Sequence, residues 1–515
     1  MDGRPRSTTS STKSESITGE DHAHDIEALS VIPSNSPPYS VFSTRKKQFI
    51  VFLAAWGGFF SPLSANIYFP ALTTLTHEYN VSSTLMNLTL TSYMIFQGLA
   101  PTFFGDLADM AGRRPAYAIG FLLYIGANIG LALQNSYAAL FILRCLQSSG
   151  SSATIALGNG IVADVATSSE RGTWMGYVTS GPMVAPALAP VIGGLLAEYL
   201  GWRAIFWFLV IMTAVYLIVF FIAFPETARN VVGNGSIPPQ GWNMSLLDYL
   251  KHRKSSGQEQ DAQVELASKR KLRFPNPLGT LRVIKQKDAG LLLFYNSLVY
   301  TAFYDVIASA PYLFAEIYGF NDLQIGLAFI PFGVGALCAP MLAGRLMDWN
   351  YRRVAKKENF TIDRKRGDNL QNFPLERARL HVAVPMLALG TAALLCYGWI
   401  LEVETSLAAP LVMHFLMGLC LTGAFNCMSV MLIDYYPMSP STATAANNLV
   451  RCFVGAGGTG IINIMIDAMG RGWCFTFIAA VVTAMSPILW ALLKWGPKWR
   501  EERRIQMEEQ KERNG

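Results

Sequence analysis

The chain is polar over its first 45 residues and then becomes a succession of long apolar runs. They lie near 48–70, 86–105, 115–134, 138–163, 173–197 and 203–224, and again near 289–313, 323–346, 381–400, 406–433, 445–467 and 473–494. About 20 apolar residues in helical form cross the hydrocarbon core of a bilayer, and every run reaches that length. Between the sixth and seventh runs comes a polar stretch holding Lys251, Arg253, Lys254, Gln258, Glu259, Lys269, Arg270 and Lys271. The pattern predicts an all-α membrane protein with twelve transmembrane helices in two six-helix sets. Its parts are a disordered tail at 1–45, a first bundle at 46–225, a linker at 226–287, a second bundle at 288–494 and a tail at 495–515.

Charge then sets the orientation. Only 15% of the residues are charged against 51% hydrophobic, and the mean hydropathy is +0.30. Basic residues collect in alternate turns: Arg113 and Arg114 after the second run, Arg171 after the fourth, and Arg352, Arg353, Lys356, Lys357, Arg364, Lys365 and Arg366 after the eighth. Lys498, Arg500, Arg503 and Arg504 follow the twelfth, while the other side offers Glu78, Glu316, Asp322, Glu402 and Glu404, with Arg203 and Arg471 as its bases. Cytoplasmic loops are the ones enriched in Lys and Arg, so both termini and the linker are expected in the cytosol. The net charge of +6 reflects this bias and is no nucleic-acid footprint. The first 45 residues lack an apolar h-region, so no cleaved signal peptide is expected. All seven cysteines lie inside apolar runs without a CxxC pair, and no HxxxH spacing occurs. Neither a disulfide framework, a metal centre nor a cofactor is expected.

One short pattern occurs twice. Gly105-Asp106-Leu107-Ala108-Asp109-Met110-Ala111-Gly112-Arg113-Arg114 follows the second run, and Gly344-Arg345-Leu346-Met347-Asp348-Trp349-Asn350-Tyr351-Arg352-Arg353 follows the eighth. Both read GxxxDxxxRR at the same place in each six-helix set, as expected of parallel repeats with a binding site between them.

The segment 105–115 resembles motif A of the major facilitator superfamily, with Gly105, Asp109, Gly112, Arg113 and Arg114 at its key positions; Gly344, Asp348, Arg352 and Arg353 form its repeat. Arg144, Gln147 and Gly150 in the fourth run are similar to motif B, RxxQGxG, with Ser148 at the first glycine. Gly176, Ala185, Ala189, Pro190, Gly193 and Gly194 in the fifth are similar to the antiporter motif C, with alanine at two glycine positions. In that family motif C marks exporters. Ser61 to Pro70, Pro225-Glu226-Thr227, Asn447 to Arg451 and Trp495 to Trp499 resemble the fungal twelve-helix drug:proton antiporters, a group that includes citrate-exporter-like proteins. The likeness covers nearly the whole chain after residue 45.

Ionisable groups within the apolar runs are costly and usually functional. Asp305 in the seventh run is the best placed acid for carrying a proton, with the alternative of an acid near a helix end that is paired or wet. His414 in the tenth is the other titratable candidate, and a hydrogen-bonded core histidine is its alternative. Arg144 either faces the central cavity or snorkels to the outer boundary; in the family this arginine is associated with proton coupling or substrate. Arg451 is either a substrate-facing cation or the partner of a carboxylate, and Asn66 adds a neutral hydrogen-bonding group. Arg144 and Arg451 together hint at anionic cargo. Asn80, in Asn80-Val81-Ser82, is a possible glycosylation acceptor.

No HExxH, GxSxG or metal-ligand cluster supports an enzyme, and the duplicated motif with the proline-broken fifth run suits alternating access better than a channel. The expected protein is a proton-coupled efflux antiporter for drugs, toxins or secondary metabolites. Its alternatives are an exporter of a small organic acid such as a citrate-like carboxylate, or a receptor or scaffold on a transporter fold. Its expected partners are a small-molecule substrate, protons and the lipid bilayer, and its expected state is a monomer. The plasma membrane is the expected location and the vacuolar membrane the alternative.

Overall fold

A computed structural model describes residues 39–166, 171–239, 241–252, 278–358, 373–436 and 440–514. Most of the expected N-terminal tail, and residues 253–277 of the expected linker, lie outside them. The first six long helices are α1 (Thr44–Asn66), α2 (Ser83–Ala111), α3 (Arg113–Leu133), α4 (Tyr137–Val165), α5 (Arg171–Leu200) and α6 (Arg203–Ala223). The second six are α7 (Lys287–Tyr318), α8 (Asp322–Lys357, interrupted at Phe329), α9 (Leu375–Glu402), α10 (Ala408–Tyr435), α11 (Pro440–Met469) and α12 (Arg471–Gln506, interrupted at Met485 and Ser486). After that interruption the last helix runs on from Pro487 to Asn514, through the stretch expected as a tail. The stretch expected as a linker holds short helices at Arg229–Val232, Leu246–His252 and Leu278–Lys285.

Ten of these segments are long and apolar enough to cross a membrane. The other two, α2 and α4, are just as long but carry polar faces. Asn87, Thr89, Ser92 and Gln97 in α2, and Arg144, Gln147, Ser148, Ser151 and Thr154 in α4, are all buried against neighbouring helices. A polar group inside a bilayer must be satisfied by protein, so the polar faces of these two helices turn into the bundle. Side-chain hydroxyls answer to the preceding turn or to the next helix, as when Ser148 Oγ donates to the Tyr93 carbonyl at 2.6 Å. Small residues allow close approach: a Cβ on Gly150 of α4 would lie 2.6 Å from the Gly120 carbonyl of α3. An aromatic cluster of Phe60, Phe121 and Tyr216 ties α1, α3 and α6, with Phe121 and Tyr216 rings 4.8 Å apart.

The two six-helix halves meet through α2 with α11 and α5 with α8. At mid-depth Asn448 donates to the Gln97 carbonyl at 2.8 Å, and Thr91 to the Ala456 carbonyl at 3.3 Å. At the end away from the clustered arginines, Thr74 donates to Asp322 at 2.6 Å and Asn321 to Glu198 at 3.1 Å, while Phe69 stacks on Phe329 at 6.0 Å. There a Cβ on Gly194 would lie 2.6 Å from the Asp322 carbonyl, and one on Gly326 2.5 Å from that of Pro190. At the arginine-rich end, hereafter the basic end, the contrast is plain. Added Cβ atoms on Gly105, Gly176 and Gly344 would meet nothing within 4 Å. The halves touch at the far end, and these three glycines of the basic end face open space.

Candidate functional site

Arg144 is fully buried in α4. Its guanidinium lies between two tyrosine faces, 4.1 Å from the Tyr68 ring centre and 4.3 Å from that of Tyr93. Desolvated cation–π contacts of this kind are worth about 2 kcal/mol. One turn along, Gln147 accepts from Nη1 at 2.6 Å and passes the contact on, donating to Asn128 at 2.7 Å. Nη1 also faces the Ser64 carbonyl at 3.4 Å. Nε and Nη2 have no hydrogen-bond partner, and no carboxylate pairs with this cation among the described residues. A charge inside a membrane protein without an opposite charge costs several kcal/mol. The arrangement therefore leaves two guanidinium nitrogens unpaired inside the bundle.

Arg144 lines a small void of about 10 Å³, room for roughly one water. Its walls include Phe69, Tyr93, Gln97, Arg144, Tyr304 and Thr459, which come from both halves. Tyr304 stacks on Tyr300 with ring centres 4.4 Å apart. Behind that pair lies the second intramembrane arginine: Arg451 sits 4.7 Å over Tyr300 and 5.9 Å from Phe425, and Asn448 accepts from its Nη2 at 2.6 Å. Each half thus supplies one arginine held by aromatic faces and an amide three residues away. Tyr93 and Arg144 of one half and Tyr304 of the other line the void, and Arg451 lies behind Tyr304, over Tyr300. Sequence reasoning found both arginines and missed the tyrosines; the Tyr300-x-x-Phe303-Tyr304 run in α7 is the one local signal for them.

The other candidates lie elsewhere. Asp305 is 4% exposed, but its carboxyl is turned toward Gly458 of α11, and a Cβ there would lie 2.7 Å from Oδ1. That oxygen has no hydrogen-bond partner, and Asp305 does not meet Arg144 or Arg451. His414 is buried among Phe314, Phe329, Phe332 and Tyr397, with Nδ1 3.3 Å from the Ala328 carbonyl and Nε2 3.2 Å from Tyr397 Oη. Asn66 turns back to its own helix, donating to the Pro62 carbonyl at 2.7 Å. Asn80 is exposed in a left-handed conformation, φ 50°, three residues before α2 begins.

At the basic end, among the described residues, the duplicated pattern is wired in one half only. Arg113 bonds Asp109 at 2.7 Å and Asp164 at the end of α4 at 2.9 Å. Gly112 turns the chain with φ 113°, and a Cβ there would strike the Glu226 carboxyl at 2.5 Å. Glu226 accepts from the backbone N–H groups of Arg113, Thr227 and Ala228 at 2.9 Å and of Arg114 at 3.1 Å. It caps the exposed N–H groups that begin α3. Burial raises its pKa above the ordinary glutamate value, against these backbone donors. Arg114 reaches the Phe221 carbonyl at 2.8 Å and that of Met244. In the second half, Asp348 and Arg352 make no ion pair among the described residues, and Arg353 lies over Trp349 at 5.5 Å. Arg379 bonds Asp434 at 2.9 Å, Arg503 bonds Asp288 at 2.8 Å, and Arg500 reaches Glu376 at 3.8 Å. The segment resembling motif C packs closely: Ala185 and Ala189 are buried, and Gly193 lies against the carbonyl of Ile67, which follows α1.

A sequence model described as Major Facilitator Superfamily matches residues 54–459. The chain belongs to the major facilitator superfamily. Its relatives include "MFS-type transporter phiD" of Fungal sp. (strain ATCC 74256), 46% identical over 90% of this chain and 71% of that protein. "MFS-type transporter tstD" of Talaromyces stipitatus is 42% identical over 93% and 87%, and "Citrate exporter 1" of Aspergillus niger is 36% identical over 96% and 98%. Among solved structures, the xylose transporter XylE from E. coli in a partially occluded inward-open conformation aligns with a TM-score of 0.61 at 14% identity, covering 87% of this chain and 98% of that one. This major facilitator protein is therefore a multi-pass membrane transporter of small molecules, not an enzyme.

Proposed function

We propose that this transporter exports small organic anions, such as a carboxylate-bearing secondary metabolite or organic acid, in exchange for protons. The observation that carries this reading is the pair of intramembrane arginines, Arg144 and Arg451, caged by aromatic rings and lacking a carboxylate partner among the described residues. Guanidinium groups match carboxylates in planar, two-pronged geometry. The relative named as a citrate exporter supports the same chemistry, and the resemblance of α5 to the antiporter motif supports export rather than uptake. The buried Asp305 carboxyl, without a cation beside it, is the proton carrier in this scheme. The basic end faces the cytosol, the far end opens to the exterior, and the protein works as a monomer in the plasma membrane.

The test compares metabolites in medium and cells with and without the gene, then follows the exported compound in reconstituted vesicles. An anionic compound should accumulate in the medium only when the gene is present, and collapse of the proton gradient should stop its concentrative movement. Arg144→Ala should abolish transport, Arg144→Lys keep part of it, and Asp305→Asn lose proton-driven accumulation while retaining exchange. An uncharged cargo, or export indifferent to the proton gradient, overturns the reading.

A further inference from the structure

Part of the linker has its polar and apolar sides reversed. Over 242–250, Asn243 and Ser245 are buried and Asp248 is half-buried, whereas Trp242, Leu246, Leu247, Tyr249 and Leu250 are 44% to 65% exposed. The polar side is satisfied from within. The Asp248 N–H donates to Ser245 Oγ at 3.1 Å, and that hydroxyl donates to the Asp248 carboxyl at 2.6 Å, which caps the short helix Leu246–His252. The Asn243 amide, oriented to satisfy its neighbours, donates to Glu226 at 3.0 Å and to the Ala111 carbonyl at 3.2 Å. A helix on the surface of a soluble protein turns its apolar stripe inward; this one turns it out. Clustered exposed apolar side chains mark contact with a protein or a membrane.

Position says what covers this patch. Arg114 Nη2 donates to the Phe221 carbonyl at 2.8 Å, while Nη1 donates to the Met244 carbonyl and, at 3.4 Å, to that of Trp242. Phe221 and Ile222 are exposed in the last turn of α6, a helix apolar enough to cross the membrane. One guanidinium therefore joins the end of a lipid-facing turn to the start of the patch. The patch continues the lipid-facing surface of α6 at the basic end. Composition agrees with that place. Trp and Tyr favour the boundary between membrane and water. The sequence turns basic directly after the patch, with Lys251, Arg253 and Lys254, the charge that anionic headgroups attract.

We infer that Trp242, Leu246, Leu247, Tyr249 and Leu250 are seated in the lipid leaflet at the basic end, where headgroups meet acyl chains, so that this part of the linker is a membrane-surface anchor rather than a solvated loop. A helix as short as Leu246–His252 does not order itself in water. The Arg114 and Asn243 bonds hold its start against the turn between α2 and α3, and the leaflet takes its apolar side. The partner is lipid, so the inference holds whatever the protein exports.

Spin labels decide it. Cys338→Ser and Cys396→Ser first remove the exposed thiols. A nitroxide is then attached at Leu246→Cys, Leu247→Cys or Leu250→Cys, with Tyr249→Cys replacing any of the three that does not insert, and the chain without an added cysteine is the blank. The full chain is placed in vesicles of phosphatidylcholine and phosphatidylserine. Relaxation of the label is measured with dissolved oxygen, which enters lipid, and with a nickel chelate, which stays in water. Oxygen should outweigh nickel at all three sites, at depths of about 5–10 Å, as for helices lying in the interface. Nickel outweighing oxygen puts the patch in water. Exclusion of both agents puts it under protein, another segment of this chain or a second copy, and either result overturns the inference. A second arm asks whether the apolar side chains do the seating. Leu247→Glu with Leu250→Glu, or the milder pair Leu247→Ser with Leu250→Ser if the first does not insert, should shift the Leu246→Cys label from oxygen-dominated to nickel-dominated relaxation. A label that keeps its depth in these variants overturns the anchor, because the Arg114 bonds alone would then fix the position.

Discussion

The two halves of this transporter reach the same end by different wiring. Each ties the start of its third helix to the end of its fourth with an arginine–aspartate bridge of 2.9 Å, Arg113 to Asp164 in one and Arg379 to Asp434 in the other. In the first half the bridging arginine belongs to the repeated sequence pattern. In the second it lies beyond that pattern, while Asp348 and Arg352 of the pattern make no ion pair among the described residues. The closing latch differs in sign as well. Glu226, just after α6, gathers backbone N–H groups at the start of α3. Arg500 and Arg503, on the extension of α12, reach Glu376 at the start of α9 and Asp288 at the start of α7. A duplicated fold can thus keep its contacts while the residues that make them are exchanged, so a sequence repeat is evidence for position and poor evidence for partnership.

The comparison can be broken most forcefully at the second latch. Arg503→Ala leaves Asp288 buried without its cation, which should lower stability by about 3–5 kcal/mol, read as the unfolding midpoint in detergent. Glu226→Ala, which strands neutral N–H groups instead, should cost less, about 2–3 kcal/mol. If the order is reversed, the two latches are not equivalent devices. The bridges sharpen the point at smaller scale. Asp434→Asn should destabilise by about 1.5–3 kcal/mol, and Asp164→Asn by roughly half as much, because Arg113 keeps Asp109 at 2.7 Å. Within the repeated pattern, Asp109→Asn should slow transport about fivefold at equal surface abundance, since an exposed pair contributes at most about 1 kcal/mol. Asp348→Asn should leave the rate unchanged; equal losses would mean the pattern is wired in both halves after all.

The smallest effect concerns pH. Burial raises the Glu226 pKa, so the folded chain holds this proton to higher pH than the unfolded chain. Below both values it contributes no slope. As pH rises from the ordinary glutamate value through the folded one, stability falls, because the folded state binds more protons in that window. Glu226→Gln should flatten this part of the stability profile, and no counterpart should be found in Arg503→Ala.

Twelve helices were legible because the bilayer imposes one length on every span, and apolar runs of that length are hard to miss. Even α2 and α4 showed up, although their inward faces carry Gln97 and Arg144, because their lipid-facing residues still outnumber the polar ones. The two arginines were legible for the converse reason, as charges where charge is costly. Their tyrosine cages were not: Tyr68 and Tyr93 reach Arg144 across the bundle, from α2 and the α1–α2 connection, and tyrosine is common in such helices. The same holds for Asp305. Its place in an apolar run was plain, but whether it faced the void or Gly458 depends on helix rotation, which no local pattern reports. The stretch expected as a tail after 494 continues the last helix, and of its basic residues Lys498, Arg500 and Arg503, which read as solvated, Arg503 is buried against Asp288.

The empty space beside Gly176 has a consequence for how this protein can be varied. On α5, Gly181 and Gly193 press on carbonyls of α1, and Gly194 on one of α8, so a larger residue there injures the packed molecule itself. Gly176 presses on nothing: a Cβ there would meet open space. A valine at that position would leave melting behaviour and abundance untouched and would act only as a wedge against the closing stroke. A library sorted for thermostability would let such wedges accumulate, and its most robust members would be transporters halted in one posture.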